Sequence, residues 1–363
     1  MLNRLEIRNF KSIRNAQLDL RALNVVIGPN GAGKSNLIGA FRLLDQIVQE
    51  RLQEYVARQG GAARMLYYGP KVSSNLAMRF DFEPNGYSFT LAPSTSDSLF
   101  FLREETHFRG DYVPDGGPVL GVGHKEAKLP DAARDRPGRV PHHVMQGVRD
   151  WVVYHFHDTS ETSPPKLTQD VDDDRILRSD AANLAAFLYR LQEQRPDEFR
   201  RITEHVQRIA PFFAEFRLAP LAARPDKIKL EWRHRQSEAY FDAASLSDGT
   251  LRFICLAALL LQPRFSMPSV ILIDEPELGL HPAALTLLAE MLRSASSSSH
   301  QILAATQSVT LLDHLTPEEV IVAEQVDGAS TFRRLEEEAL RDWMEDYGLG
   351  ELWLKNVLGG RPQ

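Results

Sequence analysis

The chain has 363 residues, 43% hydrophobic and 25% charged, with a net charge of −7. That composition is one of a folded globular protein with ample core. It excludes a surface that is basic overall, although 42 Lys and Arg leave room for a local basic groove. A single cysteine, Cys255, excludes an internal disulfide and a cysteine-based zinc site. The N-terminus has no apolar leader core, and no stretch approaches the roughly 18–20 apolar residues of a membrane span. A soluble, cytoplasmic protein without a membrane contact is expected.

Residues 2–27 alternate like paired strands and end in the apolar run "LNVVIG". Over 35–58, Leu37, Ile38, Phe41, Leu44, Ile47, Val48 and Leu52 recur at helical spacing. Segments 76–82 and 86–91 predict a hairpin turning at "PNG". Residues 110–141 are rich in proline, glycine and charge, without periodicity, and predict a long flexible loop. "WVVYHFH" (151–157) reads as a strand. The block 181–215 reads as two helices, with Pro196 in the first turn of the second. "KIKLEWRH" is strand-like, and 246–325 alternates helix, strand, helix, strand, as a parallel α/β sheet does.

"GPNGAGKS" matches G-x-x-x-x-G-K-[ST] in full, with a strand before it and an amphipathic helix after it. Its glycines let backbone N–H groups turn inward around phosphates. Lys34 reaches the β/γ oxygens, and the helix start adds its dipole. The Ser35 hydroxyl is a hard oxygen suited to Mg²⁺. Gly28, Pro29, Asn30, Gly31, Ala32, Gly33, Lys34, Ser35 and Asn36 are therefore expected to bind the nucleotide.

"SVILIDEPELGLHP" (269–282) is a continuous apolar strand ending in acids, as a strand buried on both faces reads. Asp274 at its end is expected to hold the Mg²⁺ shell, and Glu275 to orient or deprotonate the attacking water. "HQILAATQS" is a further buried strand, with Gln307 after it as the candidate γ-phosphate sensor. The polar run "SLSDGT" (245–250) has the look of an N-cap before an apolar helix.

Taken in order, "GPNGAGKS", "LSDGT", "IDEPELGLHP" and "TQS" resemble the ABC-type ATPase heads of the RecF/SMC kind. The start "RNFKSIRN" and the tail "LGELWLKNVLGG" look like the stand-alone bacterial, AAA-labelled ATPases of that group. The resemblance implies an α/β fold: a P-loop NTPase of ABC type, with a mixed sheet core and a helical second lobe. Residues 1–70 and 241–325 would form the ATPase core. Residues 71–240 would be an insert of strands, the flexible loop and the helical lobe, with 326–363 as a C-terminal extension.

The resemblance further implies that Ser247 and Gly249 contact the γ-phosphate of ATP bound to a second subunit, so that two chains sandwich two nucleotides. "GLHP" would be a dimer-contact loop, and Arg14 would reach the nucleotide. Three positions depart from transporter heads: Asp248 stands where glycine is usual, Thr250 replaces glutamine, and Gln307 replaces histidine. The implied function is an ATP·Mg²⁺ switch, a homodimer or higher homo-oligomer, acting in repair or phage defence. It would work through a separately encoded effector, such as a nuclease, with nucleic acid as a further partner. The alternative is an ATP-gated protein scaffold that touches no nucleic acid.

Two constellations favour bland readings. His155 and His157 have H-x-H spacing that can serve a metal, but no third ligand is visible. "DVDDDR" (170–175) is acidic before a helix, where negative charge is favourable in itself.

Overall fold

The computed structural model describes residues 1–110 and 113–359. They form two compact units, one of 1–153, 269–272 and 303–363, the other of 154–268 and 273–302.

The first unit is built on two sheets. One is antiparallel, running Ile13–Asp19, Arg4–Phe10, Leu76–Phe82, Asn85–Pro93, Leu99–Gly110, Val113–Gly116, with Val119–Gly121 also on Leu99–Gly110. Its in-register pairs, such as Ile7 with Ala16 and Met78, line up the buried alternate residues of each strand on one face. The other sheet runs Ala329–Arg334, Val320–Val326, Leu23–Ile27, Gln301–Thr306, Val270–Asp274, Trp151–Tyr154. Val320–Val326 lies parallel to Leu23–Ile27, and Ala329–Arg334 turns back antiparallel. Leu23–Ile27, Val270–Asp274 and Gln301–Thr306 are buried at every position, as their mostly apolar sequences require.

Helix Lys34–Val48 belongs to one hydrophobic cluster with residues of both sheets, so ten of its fifteen positions are buried. Phe41 sits 5.9 Å from Phe80 and 6.0 Å from Trp151. Each such fully buried side chain contributes about 1.5–3 kcal/mol. The helix is shorter than its periodicity predicts. The chain breaks at 49–51, where Glu50 adopts a positive φ of 57°, and a second helix, Leu52–Arg58, begins.

The structure corrects the loop expected over 110–141. Residues 111–112 lie outside the described residues, but the rest carries two short strands, helix Leu129–Asp135 and the start of helix Val140–Arg149. Acids replace hydrophobic periodicity as the organising contacts. Glu126 accepts the Leu52 and Gln53 amides at 2.9 and 3.0 Å and so caps that helix from a distance. The buried Glu104 accepts the Lys128 and Leu129 amides, the Tyr87 hydroxyl and the His124 ring at 2.7–3.0 Å. Residues 71–153 also group with the first unit rather than with a separate insert, because strand 76–82 pairs directly with 4–10. The tail behaves likewise: strand Ala329–Arg334 completes a core sheet, and Leu352 and Trp353 are buried.

In the second unit, helices Leu184–Gln194, Pro196–Ile209, Asp248–Leu260 and Pro282–Ala295 pack together. Asp248–Leu260 is buried at every position from Thr250 to Leu260, which explains its apolar character all round. Burial pushes the Cys255 thiol on this helix up to about 12. A small sheet of Phe213–Arg217, Glu231–His234 and Tyr240–Asp242 is filled by Trp232, stacked on Phe213 at 5.8 Å. The run "KIKLEWRH" divides into two strands, Arg224–Ile228 and Glu231–His234. The strand expected over 151–157 stops at Tyr154, and 155–159 is irregular. Among the described residues no helix is long and apolar enough to cross a membrane.

Candidate nucleotide and catalytic site

The phosphate loop leaves strand Leu23–Ile27 at Gly28. A side chain there would collide with the Ala323 carbonyl of the adjacent strand, so glycine is required by packing. Gly31 (φ 83°) has nothing within 4 Å of where a Cβ would stand, whereas Gly33 (φ 102°) is backed by the Ser330 hydroxyl. The Lys34 side chain is 5% exposed and lies back over the loop, its Nζ donating to the Gly28 carbonyl at 2.6 Å and the Pro29 carbonyl at 3.0 Å. Gly33 starts the helix with no side-chain cap, and no acid stands in the first turn. The first N–H groups of a helix have no intrahelical acceptor, so an uncapped start with a lysine over it suits a phosphate. Ser35 is exposed at that start.

A polar cluster absent from the motif braces this loop. Asn36 Nδ2 donates to Ser12 Oγ at 2.7 Å, and Ser12 Oγ meets Ser330 Oγ at 2.6 Å. The Ser330 amide also donates to the Ser12 carbonyl at 2.8 Å. Asn36, expected at the nucleotide, is thus engaged with Ser12, which in turn meets Ser330, and no local pattern singles out either serine. Arg14 lies exposed on strand Ile13–Asp19, two residues beyond Ser12.

Asp274 closes its strand in a buried position, 8% exposed. Glu275 follows with φ 45°, a left-handed conformation that costs a residue with a side chain about 1–3 kcal/mol. The turn beyond it is held by Leu278 N–H to the Glu275 carbonyl at 3.2 Å and Leu280 N–H to the Glu277 carbonyl at 3.0 Å. His157 Nε2 donates to the Asp274 carbonyl at 2.7 Å. Arg252, buried on helix Asp248–Leu260, donates to the Phe156 carbonyl at 2.8 Å, the His157 carbonyl at 3.1 Å and the Leu278 carbonyl. Burial lowers its pKa from the usual arginine value.

Ser247 caps helix Asp248–Leu260: its Oγ accepts the Thr250 amide at 3.2 Å and meets the Thr250 hydroxyl at 2.8 Å. Gly249 is required locally, since a Cβ would strike the Gly279 carbonyl. Gly249→Ala should therefore lower stability by about 1–3 kcal/mol, read as a fall in denaturation midpoint; an unchanged midpoint would contradict this packing. Ser247 and Asp248 remain exposed, with the Lys166 ammonium 3.8 Å from the Asp248 carboxylate. Gln307 is exposed just past strand Gln301–Thr306, where Ser308 caps the next turn.

Phosphate loop, Arg14 and Gln307 belong to the first unit; Asp274, Glu275, Ser247 and Gly249 belong to the second. Among the described residues, no three His, Cys, Asp or Glu side chains are grouped to hold a metal. Mg²⁺ asks for only one or two protein ligands, because it keeps waters and phosphate oxygens as its others. The H-x-H spacing instead brings His157 to the Asp274 backbone. Three of the four acids of the run are paired: Asp170 with Lys227 at 2.5 Å, Asp173 with Arg178 at 2.6 Å, Asp174 with Arg190 at 3.4 Å.

The sequence family described as "AAA domain, putative AbiEii toxin, Type IV TA system" matches residues 23–313, from the phosphate-loop strand to beyond Gln307. The chain belongs to this family. Among solved structures, this AAA-family chain is similar to an SmcHead bound to the C-winged helix domain of ScpA. The TM-score is 0.62 at 14% identity, covering 94% of this chain and 99% of that one. A Pyrococcus furiosus Smc head domain, bound to the C-terminal domain of ScpA, matches with TM-score 0.59 at 14% identity over 95% and 98%. At that identity the likeness shows the fold alone, the α/β fold of an SMC head domain. A curated relative, the OLD nuclease of Thermus scotoductus, is 28% identical over 121 residues. That match spans 33% of this chain and 22% of the nuclease.

Proposed function

We propose that this ABC-type ATPase head binds ATP·Mg²⁺, closes head to tail around two nucleotides, and hydrolyses them slowly as a switch. The observation that carries this reading is the uncapped helix start under a buried Lys34, joined to a fold whose carboxylate strand ends in Asp274 and a strained Glu275. Lys34 would leave the Gly28 and Pro29 carbonyls for the β/γ-phosphate oxygens, and the loop amides would bind the rest of the chain of phosphates. Mg²⁺, held by Ser35 and Asp274, would supply neutralisation of the phosphate charge. Glu275 orients the attacking water and takes its proton. Exposed Ser247 of the partner subunit would meet the γ-phosphate, while each chain's own Ser247 still caps its helix. Arg14 and Gln307 are proposed as secondary nucleotide contacts.

The switch is proposed to act in a nucleic-acid-directed process of repair or phage defence, through a separately encoded effector. The partial match to an OLD nuclease and the toxin–antitoxin description of the family support that direction. DNA should then raise the ATPase rate, and the stimulation should fall steeply with salt. A rate indifferent to every DNA and RNA tested would remove direct binding. It would favour the second reading, an ATP-gated protein scaffold. That reading draws support from the net charge of −7 and from outer-sheet arginines already matched to acids. Those pairs are Arg4–Glu6 at 3.1 Å, Arg79–Asp81 at 2.9 Å and Arg103–Glu105 at 2.6 Å.

A further inference from the structure

We propose that Arg252 is a positioning residue for Glu275, acting with His157 through backbone carbonyls; this rests on the ATPase reading above. A buried guanidinium that donates only to carbonyls fixes backbone rather than charge. Arg252 spends its donors on Phe156, His157 and Leu278, three carbonyls from two separate segments. The Leu278 carbonyl is three residues past Glu275, in the same turn that Leu278 N–H closes onto the Glu275 carbonyl. His157, whose own carbonyl Arg252 holds, reaches the other side of Glu275 through the Asp274 carbonyl at 2.7 Å. Glu275 is therefore bracketed fore and aft by one arginine.

The bracket answers a specific need. Glu275 sits at φ 45°, and a left-handed residue with a side chain persists only when its surroundings over-determine it. The turn supplies two local hydrogen bonds, from the Leu278 and Leu280 amides, and glycine at 279 (φ 74°), where a side chain would crowd the Arg252 guanidinium. Arg252 also rides on the helix that Ser247 caps, one turn from Gly249, whose backbone presses on the Gly279 carbonyl. The "SLSDGT" segment and the proposed general base are thus tied to a common buried group. Lysine at 252 could satisfy one carbonyl at a time, but not three in the fixed fork of a guanidinium.

The test compares wild type, Arg252→Met, Arg252→Lys and His157→Ala in the full chain by three readouts: ATPase kinetics, ATP Kd, and hydrogen exchange of the 275–281 turn. For Arg252→Met the expected result is a kcat about 10–100-fold lower, since a misplacement near 1 Å can cost that much. ATP Kd should stay within about threefold, and exchange over 275–281 should quicken while helix Lys34–Val48 is unaffected. Arg252→Lys should recover part of kcat. Wild-type kcat and exchange in Arg252→Met overturn the proposal. So does a parallel loss of ATP affinity, kcat and melting temperature, which marks a merely structural role. Should Arg252→Met fail to fold, His157→Ala decides: reduced kcat at constant Kd supports the bracket, and wild-type kcat overturns it. A wild type that hydrolyses no ATP removes the reaction, and this role in it. A hydrolysing wild type matched by an equally fast Arg252→Met removes the positioning role alone.

Discussion

Glu275→Gln is expected to bind ATP·Mg²⁺ with near-native affinity and to turn it over at least about 10²-fold more slowly, the usual worth of a positioned base. The substitution is nearly isosteric, so the left-handed turn, its Leu278 hydrogen bond and the His157 contact to Asp274 stay in place. What is lost is the ability to accept a proton from the attacking water. With turnover stopped, the ATP state accumulates, and solution mass becomes a direct reading of the clamp. An ATP-dependent step from monomer to dimer supports exposed Ser247 serving the nucleotide of a second chain. An ATP-bound monomer would reduce Ser247 to the helix cap it already forms with Thr250. Wild-type turnover in this variant would strip Glu275 of its role as base.

Lys34→Ala is expected to weaken ATP binding by about 10–100-fold, since a charge-assisted hydrogen bond contributes about 1.5–3 kcal/mol and 1.4 kcal/mol is tenfold. The effect on the protein alone should be smaller but measurable. Lys34 is buried and donates to the Gly28 and Pro29 carbonyls; alanine takes a donor from Gly28, while the Pro29 carbonyl keeps the Ala32 amide at 3.2 Å. Titration calorimetry with ATP and a thermal melt without it separate the two losses. A nucleotide Kd unchanged by Lys34→Ala would detach the phosphate loop from its proposed ligand. A lost Kd accompanied by gross unfolding would instead identify Lys34 as a structural residue of the loop.

Much of the phosphate-loop half of the site was legible because its requirements are local. Gly31 and Gly33 answer to a left-handed backbone, which is a local demand, and Lys34 follows at a fixed spacing; Gly28 answers instead to the Ala323 carbonyl of a distant strand. The carboxylate strand was legible for a related reason: a strand buried on both faces must be apolar throughout, so the acids at its end stand out. The second role of "SLSDGT" (245–250) was legible only through resemblance to a family. Locally, Ser247 is an ordinary N-cap, and its exposure is the feature that leaves room for a second role.

What failed did so for identifiable reasons. The stretch 110–141 lacks periodicity because its short elements are pinned by Glu104 and Glu126, and polar anchors leave no hydrophobic rhythm. The strand over 151–157 stopped early because residues beyond Tyr154 give their carbonyls to Arg252 instead of to a neighbouring strand. Helix 35–58 broke at Glu50, where a positive φ overrides a continuous apolar stripe.

By itself, the sequence determined the phosphate loop, the carboxylate strand and the alternation of helix and strand over 246–325. Each of these is set by steric and solvation demands acting over fewer than about ten residues. Only the tertiary structure decided which distant groups brace that chemistry. Ser330 reaches Ser12 beneath the phosphate loop, and Arg252 gathers the carbonyls of 156, 157 and 278 around Glu275. A hydrogen bond between residues 95 or 318 positions apart leaves no period, spacing or composition in the chain, because its partners are matched by folding and not by neighbourhood.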